Sequence, residues 1–297
     1  MAISVDARAS AQTRLRWELL VGLVSKDLKV KYKDSSLGFA WSMANPLLLL
    51  AVYYFVFAVV LPNSVPGFVV YLMAGLLIWQ FFASSVTTAV GSVTANANLV
   101  KKVRFPLLVL PLSAVGFAGV HFALQSAVFV VLLVLFGFPL LGVKLLLIVP
   151  AMAVALTFTA ALSILVSAVN VRYRDVQHIL EVVMLAWFWI NPIVYPAGLV
   201  AARLGGTDHW LYRLYFLNPP GIVSATFQRA LYDRTYLPSG AAVRGGLRAG
   251  ANELIVASPH YAFYLQQLAM CFAGSLLLFW LAMRVFRRMS GDFAEQL

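Results

Sequence analysis

Residues 35–100 read SSLGFAWSMANPLLLLAVYYFVFAVVLPNSVPGFVVYLMAGLLIWQFFASSVTTAVGSVTANANLV, 66 residues without an aspartate, glutamate, lysine or arginine. A helix that crosses a bilayer needs about 20 apolar residues, so this run is long enough for two. Pro62-Asn63-Ser64-Val65-Pro66-Gly67 interrupts it, and paired prolines with glycine are a turn signal. The spacing predicts span one near Leu37–Leu61 and span two near Phe68–Val90.

Working outward, the charge-free run Phe105–Val143 predicts span three around Leu112–Phe136. Leu145–Val171 gives span four, Val182–Ala202 span five and Leu254–Met283 span six. The whole chain of 297 residues is 62% hydrophobic and 11% charged. Soluble domains carry about 25% charge, so a soluble fold, a disordered chain and a disulfide scaffold are all excluded. Cys271 is the single cysteine and forms no intrachain bridge. Irregular backbone cannot face lipid. The expected fold is therefore an all-α integral membrane protein of six helices, not a barrel of short alternating strands.

Lysine and arginine set the orientation. Fifteen of the 22 fall before span one, between spans two and three, between four and five, and after span six. The short loops on the other side hold only Lys144. Both termini are expected on the cytoplasmic side, and Met1–Arg14 lacks the apolar core of a signal peptide. The net charge of +11 is thus read as a membrane-topology signal and not as nucleic-acid binding.

Two regions divide as 1–34, a cytoplasmic N-terminus, and 35–297, the membrane domain. Within the first, Trp17, Leu20, Val24 and Leu28 share one helical face. An amphipathic helix over Arg14–Lys33 on the inner membrane surface is expected. In Ala95–Pro106, Asn98 is a cap candidate for a short helix that Pro106 would end or follow with the next, while composition alone favours a basic tether that obeys the positive-inside rule. The stretch 197–259 interleaves Trp210, Tyr212, Tyr215, Phe216 and Tyr232 with Arg213, Arg229 and Arg234, and reads as short helices at the outer interface.

Several chemistries are missing. No Gly-x-x-x-x-Gly-Lys-Ser/Thr phosphate loop occurs, so ATP hydrolysis on this chain by that route is not expected. His121, His178, His209 and His260 are scattered without ligand spacing, so neither a metal nor a catalytic residue is assigned. Glu181 approaches the membrane near Asp175, and pairing with Arg172 or Arg174 is expected there in place of a proton relay. What remains is aromatic content: Tyr53, Tyr54, Phe55 and Phe57, then Trp79, Phe81 and Phe82, then Trp187, Phe188, Trp189 and Tyr195. Single rings are usually packing or interface anchors. A series of them along a pore also suits sugars, which offer a C–H face to a ring and hydroxyls to its polar atom.

Asp27-Leu28-Lys29-Val30-Lys31-Tyr32-Lys33-Asp34-Ser35-Ser36-Leu37-Gly38-Phe39-Ala40-Trp41, followed by Asn45-Pro46, resembles the approach to span one in ABC-2 type permeases of polysaccharide exporters. Asn98 to Pro106, Arg172-Tyr173-Arg174-Asp175, Asn191-Pro192-Ile193-Val194-Tyr195-Pro196, Asn218-Pro219 and Phe293-Ala294-Glu295 resemble further stretches of that family. Lys31 stands where the family pattern suggests arginine, so the charge is kept and the planar fork lost.

The resemblance implies a half-transporter: a second copy completes the channel, and two copies of a separate ATPase carry the ATP and magnesium. It implies no cofactor on this chain and a place in the bacterial inner membrane. Asn98, Lys101, Lys102, Phe105, Arg172, Arg174 and Asp175 would couple to the ATPase. Lys29, Lys31, Lys33 and Arg104 would meet a lipid pyrophosphate at a lateral entrance. Tyr53, Tyr54, Phe57, Trp79, Phe82, Trp187, Trp189 and Tyr195 would line the sugar channel. The cargo class stays open among O-antigen, teichoic acid and galactan, with the alanine-, valine- and arginine-rich usage leaning to galactan. The alternatives are an ABC-2 permease for a drug or lipid, and a membrane-embedded glycosyltransferase. The latter wants clustered acids, where the loops offer only Asp27, Asp34 and Asp175 singly.

Overall fold

The computed structural model describes residues 5–32, 67–103, 105–135, 142–232 and 254–297, with short pieces at 44, 47–48, 51–52, 55–60, 65, 137 and 235. Span one, Tyr53, Tyr54, Lys33 and Arg104 therefore lie wholly or largely outside the described residues. Phe57 falls on a π-helical turn, Phe55–Val60, but its side chain is outside them too.

Among the described residues there is no strand. The helices are α1 (Val5–Tyr32), α2 (Phe68–Val90), α3 (Ser92–Ala95), α4 (Ala97–Lys102), α5 (Val109–Leu135), α6 (Ile148–Arg172), α7 (Val176–Ile190), α8 (Ala197–Arg203), α9 (Trp210–Tyr215), α10 (Pro219–Leu231), α11 (Tyr261–Met289) and α12 (Phe293–Gln296). Four are long and apolar enough to cross a membrane: α2, α5, α6 with the 3₁₀ turn before it, and α11.

Helix α2 is the axis of the fold. It starts where Gly67 adopts a left-handed φ of 66°, a conformation that costs an L residue and not glycine. It packs against α5, α6, α7 and α10, and its most apolar window is 78% buried. The same measure is 22% for α5 and for α11. These outer helices keep apolar side chains on the surface because lipid, not water, is their solvent.

Three apolar clusters hold the helices together. One runs the length of α2 and joins it to Leu180, Met184 and Phe188 of α7. A second gathers α8, α9, α10 and the first turns of α11. A third joins Val93, Leu110, Ile164, Val171, Phe286 and Phe293, with Val100 and Phe105 packed on it. The third lies at the basic end, where Lys101, Lys102 and Arg172 emerge.

Two expectations shift. Span five was expected at Val182–Ala202. The helix instead runs Val176–Ile190, stops at Asn191-Pro192 and resumes as α8. Proline lacks the N–H needed to continue a helix and disfavours the helical region for the residue before it. Polar Gln177, His178 and Glu181 form its first turns, which a charge-free window leaves out. Helix α1 is longer than expected, and its apolar face is divided. Leu20 and Val24 lie on Gly116 of α5, where an added Cβ would come 3.0 Å from Val24. Trp17 remains 66% exposed.

Candidate functional site

A break in a helix at membrane depth leaves carbonyls that must find partners. At the end of α7 all four do. The Trp187 carbonyl accepts from the Asn191 side-chain amide at 2.8 Å, and that of Phe188 from the Asn191 backbone at 3.2 Å. The Tyr195 hydroxyl lies 3.0 Å from the carbonyls of both Trp189 and Ile190. Tyr215 donates to Ile190 as well.

The residues beyond the break are held from other helices. The Tyr71 hydroxyl of α2 lies 3.2 Å from the Pro192 carbonyl and 3.1 Å from that of Tyr195. Gln228 of α10 donates to Pro192 at 2.9 Å. An added Cβ on Gly75 would sit 2.9 Å from Gln228 Nε2 and 3.3 Å from Ile193, so glycine lets α2 approach the break. Asn218, at the start of α10, does not cap its own helix. Its Oδ1 accepts from the indole of Trp187 at 2.8 Å, and its amide donates to Asn191 at 2.6 Å.

Beside this break stands an aromatic cluster. Trp79 is 5.5 Å from Phe82 and 5.6 Å from Phe188, centroid to centroid. Phe82 stacks on Phe158 at 5.7 Å and meets the edge of Trp187 at 5.3 Å. The structure thus brings together three of the expected channel residues: Trp79, Phe82 and Trp187. The first two are buried and Trp187 half-buried. Trp189 is 52% exposed, on the same uncovered face of α7 as Ile179, Val182 and Leu185. Tyr195 is half-buried at the break. A small cavity of about 10 Å³ lies between Trp79, Phe82, Phe158, Pro219 and Pro220, about one water in size.

The basic end holds the expected coupling residues. Asn98, Lys101 and Lys102 of α4 are exposed, and Phe105 is half-buried against the third cluster. Arg172, Arg174 and Asp175 form the exposed turn between α6 and α7, with Arg172 5.7 Å from the Tyr173 ring. Val171 and Val100 touch the same cluster, so the two segments occupy one end of the bundle. Glu181 departs from expectation: among the described residues it makes no ion pair with Arg172 or Arg174. It follows them by seven or more positions and is exposed.

Of the cations expected at the lipid-pyrophosphate entrance, Lys29 is exposed. Lys31 lies 5.1 Å over the Phe117 ring, and burial lowers its pKa. Lys26, which was not singled out, bridges α1 to the α3–α4 bend: its ammonium is 3.4 Å from Asn96 Oδ1 and 3.4 Å from Asp27. Tyr71, Phe158 and Gln228 were also unmarked. Nothing local distinguishes them from packing residues, since their partners are up to 124 positions away.

Residues 18–222 match the family of ABC-2 type transporters, more than half of the chain. The chain belongs to the ABC-2 type transporter family. This permease is 39% identical over 193 residues to the O-antigen export system permease protein RfbA of Klebsiella pneumoniae, covering 63% of this chain and 72% of that one. It is 32% identical over 280 residues to the RfbA permease of Myxococcus xanthus, covering 94% of this chain and 95% of that one. It is a multi-pass membrane protein and the permease subunit of an ABC transporter, with ATP hydrolysis on a separate subunit.

Proposed function

We propose that this permease moves a polyprenyl-pyrophosphate-linked cell-envelope polysaccharide of O-antigen type across the bacterial inner membrane. The observation that carries this reading is the similarity to an O-antigen export permease over 94% of the chain and 95% of the relative. The absence of a phosphate loop from the sequence agrees with an ATPase on another subunit.

In this reading the chain has six spans, with α7 and α8 as the two pieces of span five and both termini cytoplasmic. Two copies form the channel, and two ATPase subunits dock below. ATP binding draws the ATPases together and pushes α4 and the Arg172–Asp175 turn. The third apolar cluster passes that displacement to α6 and α11, whose residues it contains. Helix α7 moves with its wired break as a unit, because its terminal carbonyls are held by Asn191, Tyr195 and Tyr215 of α9, and the segment beyond it by Tyr71 of α2 and Gln228 of α10. The uncovered face of α7, with Trp189, lines the passage between copies, and the Trp79–Phe82–Trp187 cluster backs it. Lys29 and Lys31, with Lys33 and Arg104, meet the pyrophosphate through charge-assisted hydrogen bonds.

The test is purification of the permease from native membrane in mild detergent, with identification of the co-purifying ATPase and assay with lipid-linked glycan. Stimulation of ATPase activity, and glycan flux in proteoliposomes, are expected. Recovery without a nucleotide-binding partner, or turnover of a sugar nucleotide by the chain alone, overturns the reading.

A further inference from the structure

The inner end of α11 carries a basic groove that none of the roles above uses. Phe279, Trp280, Met283, Arg284, Arg287 and Arg288 line an open groove of about 540 Å³. The guanidinium of Arg284 lies 5.4 Å from the Trp280 ring centroid. Arg284, Arg287 and Arg288 are exposed, and none of them makes an ion pair among the described residues.

This sets them apart from other cations of the chain. Arg14 pairs with Glu18 at 2.9 Å, Lys26 with Asp27, and Arg213 with Asp208 at 3.8 Å. Three arginines within five positions on one helix repel one another unless an anion joins them.

The depth is right for a headgroup. The 23 residues from Tyr261 to Met283 carry no Asp, Glu, Lys or Arg. At about 1.5 Å per residue they cover roughly the 30 Å hydrocarbon core. Arg284 is the first charge beyond it, and Arg287 and Arg288 follow one turn further on. Above them Leu277, Trp280 and Leu281 are exposed at positions i, i+3 and i+4, on the same stripe as Arg284 and Arg288. A molecule laid along this stripe meets aliphatic side chains, then an indole at the interface, then guanidinium groups.

We infer that the Arg284–Arg287–Arg288 groove binds the phosphate headgroup of an acidic phospholipid, whose acyl chain lies along Leu277, Trp280 and Leu281. Arginine suits the task, because its planar fork takes two phosphate oxygens at once. The occupant is a bilayer lipid and not a free anion, because the charge is continuous with a membrane-facing apolar stripe. The site needs only that α11 spans the bilayer, and is independent of the exported polymer.

The experiment places the full-length permease in nanodiscs of phosphatidylcholine with a minor fraction of phosphatidylglycerol. Lipids retained after gentle detergent release are counted by native mass spectrometry. Wild-type protein is expected to retain phosphatidylglycerol over phosphatidylcholine, and R284Q/R287Q/R288Q to lose that preference by on the order of tenfold or more. The single R284Q variant should show a smaller loss, and R284K/R287K/R288K should keep most of the preference, since charge persists. Unchanged retention in the glutamine triple variant overturns the site. Displacement of the lipid by millimolar inorganic phosphate overturns the lipid assignment in favour of a free-anion site. A changed oligomeric mass in the triple variant with lipid retention intact marks the face as a contact between copies, and the inference falls. Glycan export does not enter this readout, so the lipid site and the export reading fail separately.

Discussion

The indole N–H of Trp187 donates to the side-chain oxygen of Asn218 at 2.8 Å, across 31 positions of sequence. Asn218 in turn donates to Asn191 at 2.6 Å, and Asn191 closes the loop on the Trp187 carbonyl. The last turn of α7 and the first of α10 are thereby one unit. Trp187→Phe keeps most of the ring and deletes the donor. It should lower stability by about 1–2 kcal/mol, read as a fall in detergent melting temperature. Asn218→Ala should cost more, because it takes the acceptor from the Trp187 indole and the donor from the Asn191 side-chain oxygen at once. The double variant should cost clearly less than the sum; strict additivity would show that the loop is not a unit.

Gly198 is the tightest point of the outer region. A Cβ there would run into the Leu254 carbonyl, where Ala197 donates to Ile255 at 3.1 Å. A backbone atom cannot turn aside as a side-chain tip can. Gly198→Ala should therefore reach or exceed the roughly 1–3 kcal/mol of ordinary overpacking. Chromatography in detergent should show loss of the monodisperse peak. Gly22→Ala, with nothing within 4 Å, should leave it intact. A monodisperse Gly198→Ala protein of unchanged melting temperature would contradict the packing described here.

Phe293 is fully buried, with its ring 5.5 Å from Phe286. It seats α12 against α4 and α6. Phe293→Ala should cost on the order of 3–5 kcal/mol, as large core truncations do, and should loosen α4, the helix proposed to meet the ATPase. Phe293→Leu restores much of the volume and should recover most of the loss. The informative measurement is the ratio of glycan-stimulated to basal ATPase activity in the complex. That ratio should fall in Phe293→Ala beyond any loss of yield, and an unchanged ratio would limit the residue to stability.

Lys31 gives a pH signature. Its pKa is lowered from the ordinary 10.5 by burial, so the unfolded chain holds the proton to higher pH than the folded one. Between the lowered value and 10.5 the unfolded state binds more protons, and stability rises with pH through that window. The burial cost is full below the window and gone above it. Lys31→Met should remove this contribution. Melting temperatures measured at rising alkaline pH should climb less, or fall more steeply, in the variant than in wild type; parallel curves would refute the assignment.

Much of this was legible along the chain, because lipid demands long uncharged helices and charge ends them. Phe68–Val90 is both the expected span and the observed helix. The two exposed segments at the basic end, Asn98–Lys102 and Arg172–Asp175, were marked by short runs of basic residues between spans. Span five was misjudged in register because its first turns are polar. A charge-free window cannot detect that a helix with only one narrow buried stripe tolerates Gln177, His178 and Glu181 on its open side. Asn191-Pro192 and Asn218-Pro219 stood out as motifs, but their joining through Trp187 did not, since side-chain partners tens of residues apart leave no local pattern.

The sequence by itself determined the class and the family. These follow from transfer free energies and motif order, which are properties of each stretch taken alone. Only the tertiary structure decided that α2 is the buried axis, that Tyr71, Tyr215 and Gln228 satisfy the break in α7, and that Lys26 ties α1 to Asn96. Such pairings depend on which helices meet and at what height, and every buried polar group takes the partner that geometry brings within hydrogen-bond reach.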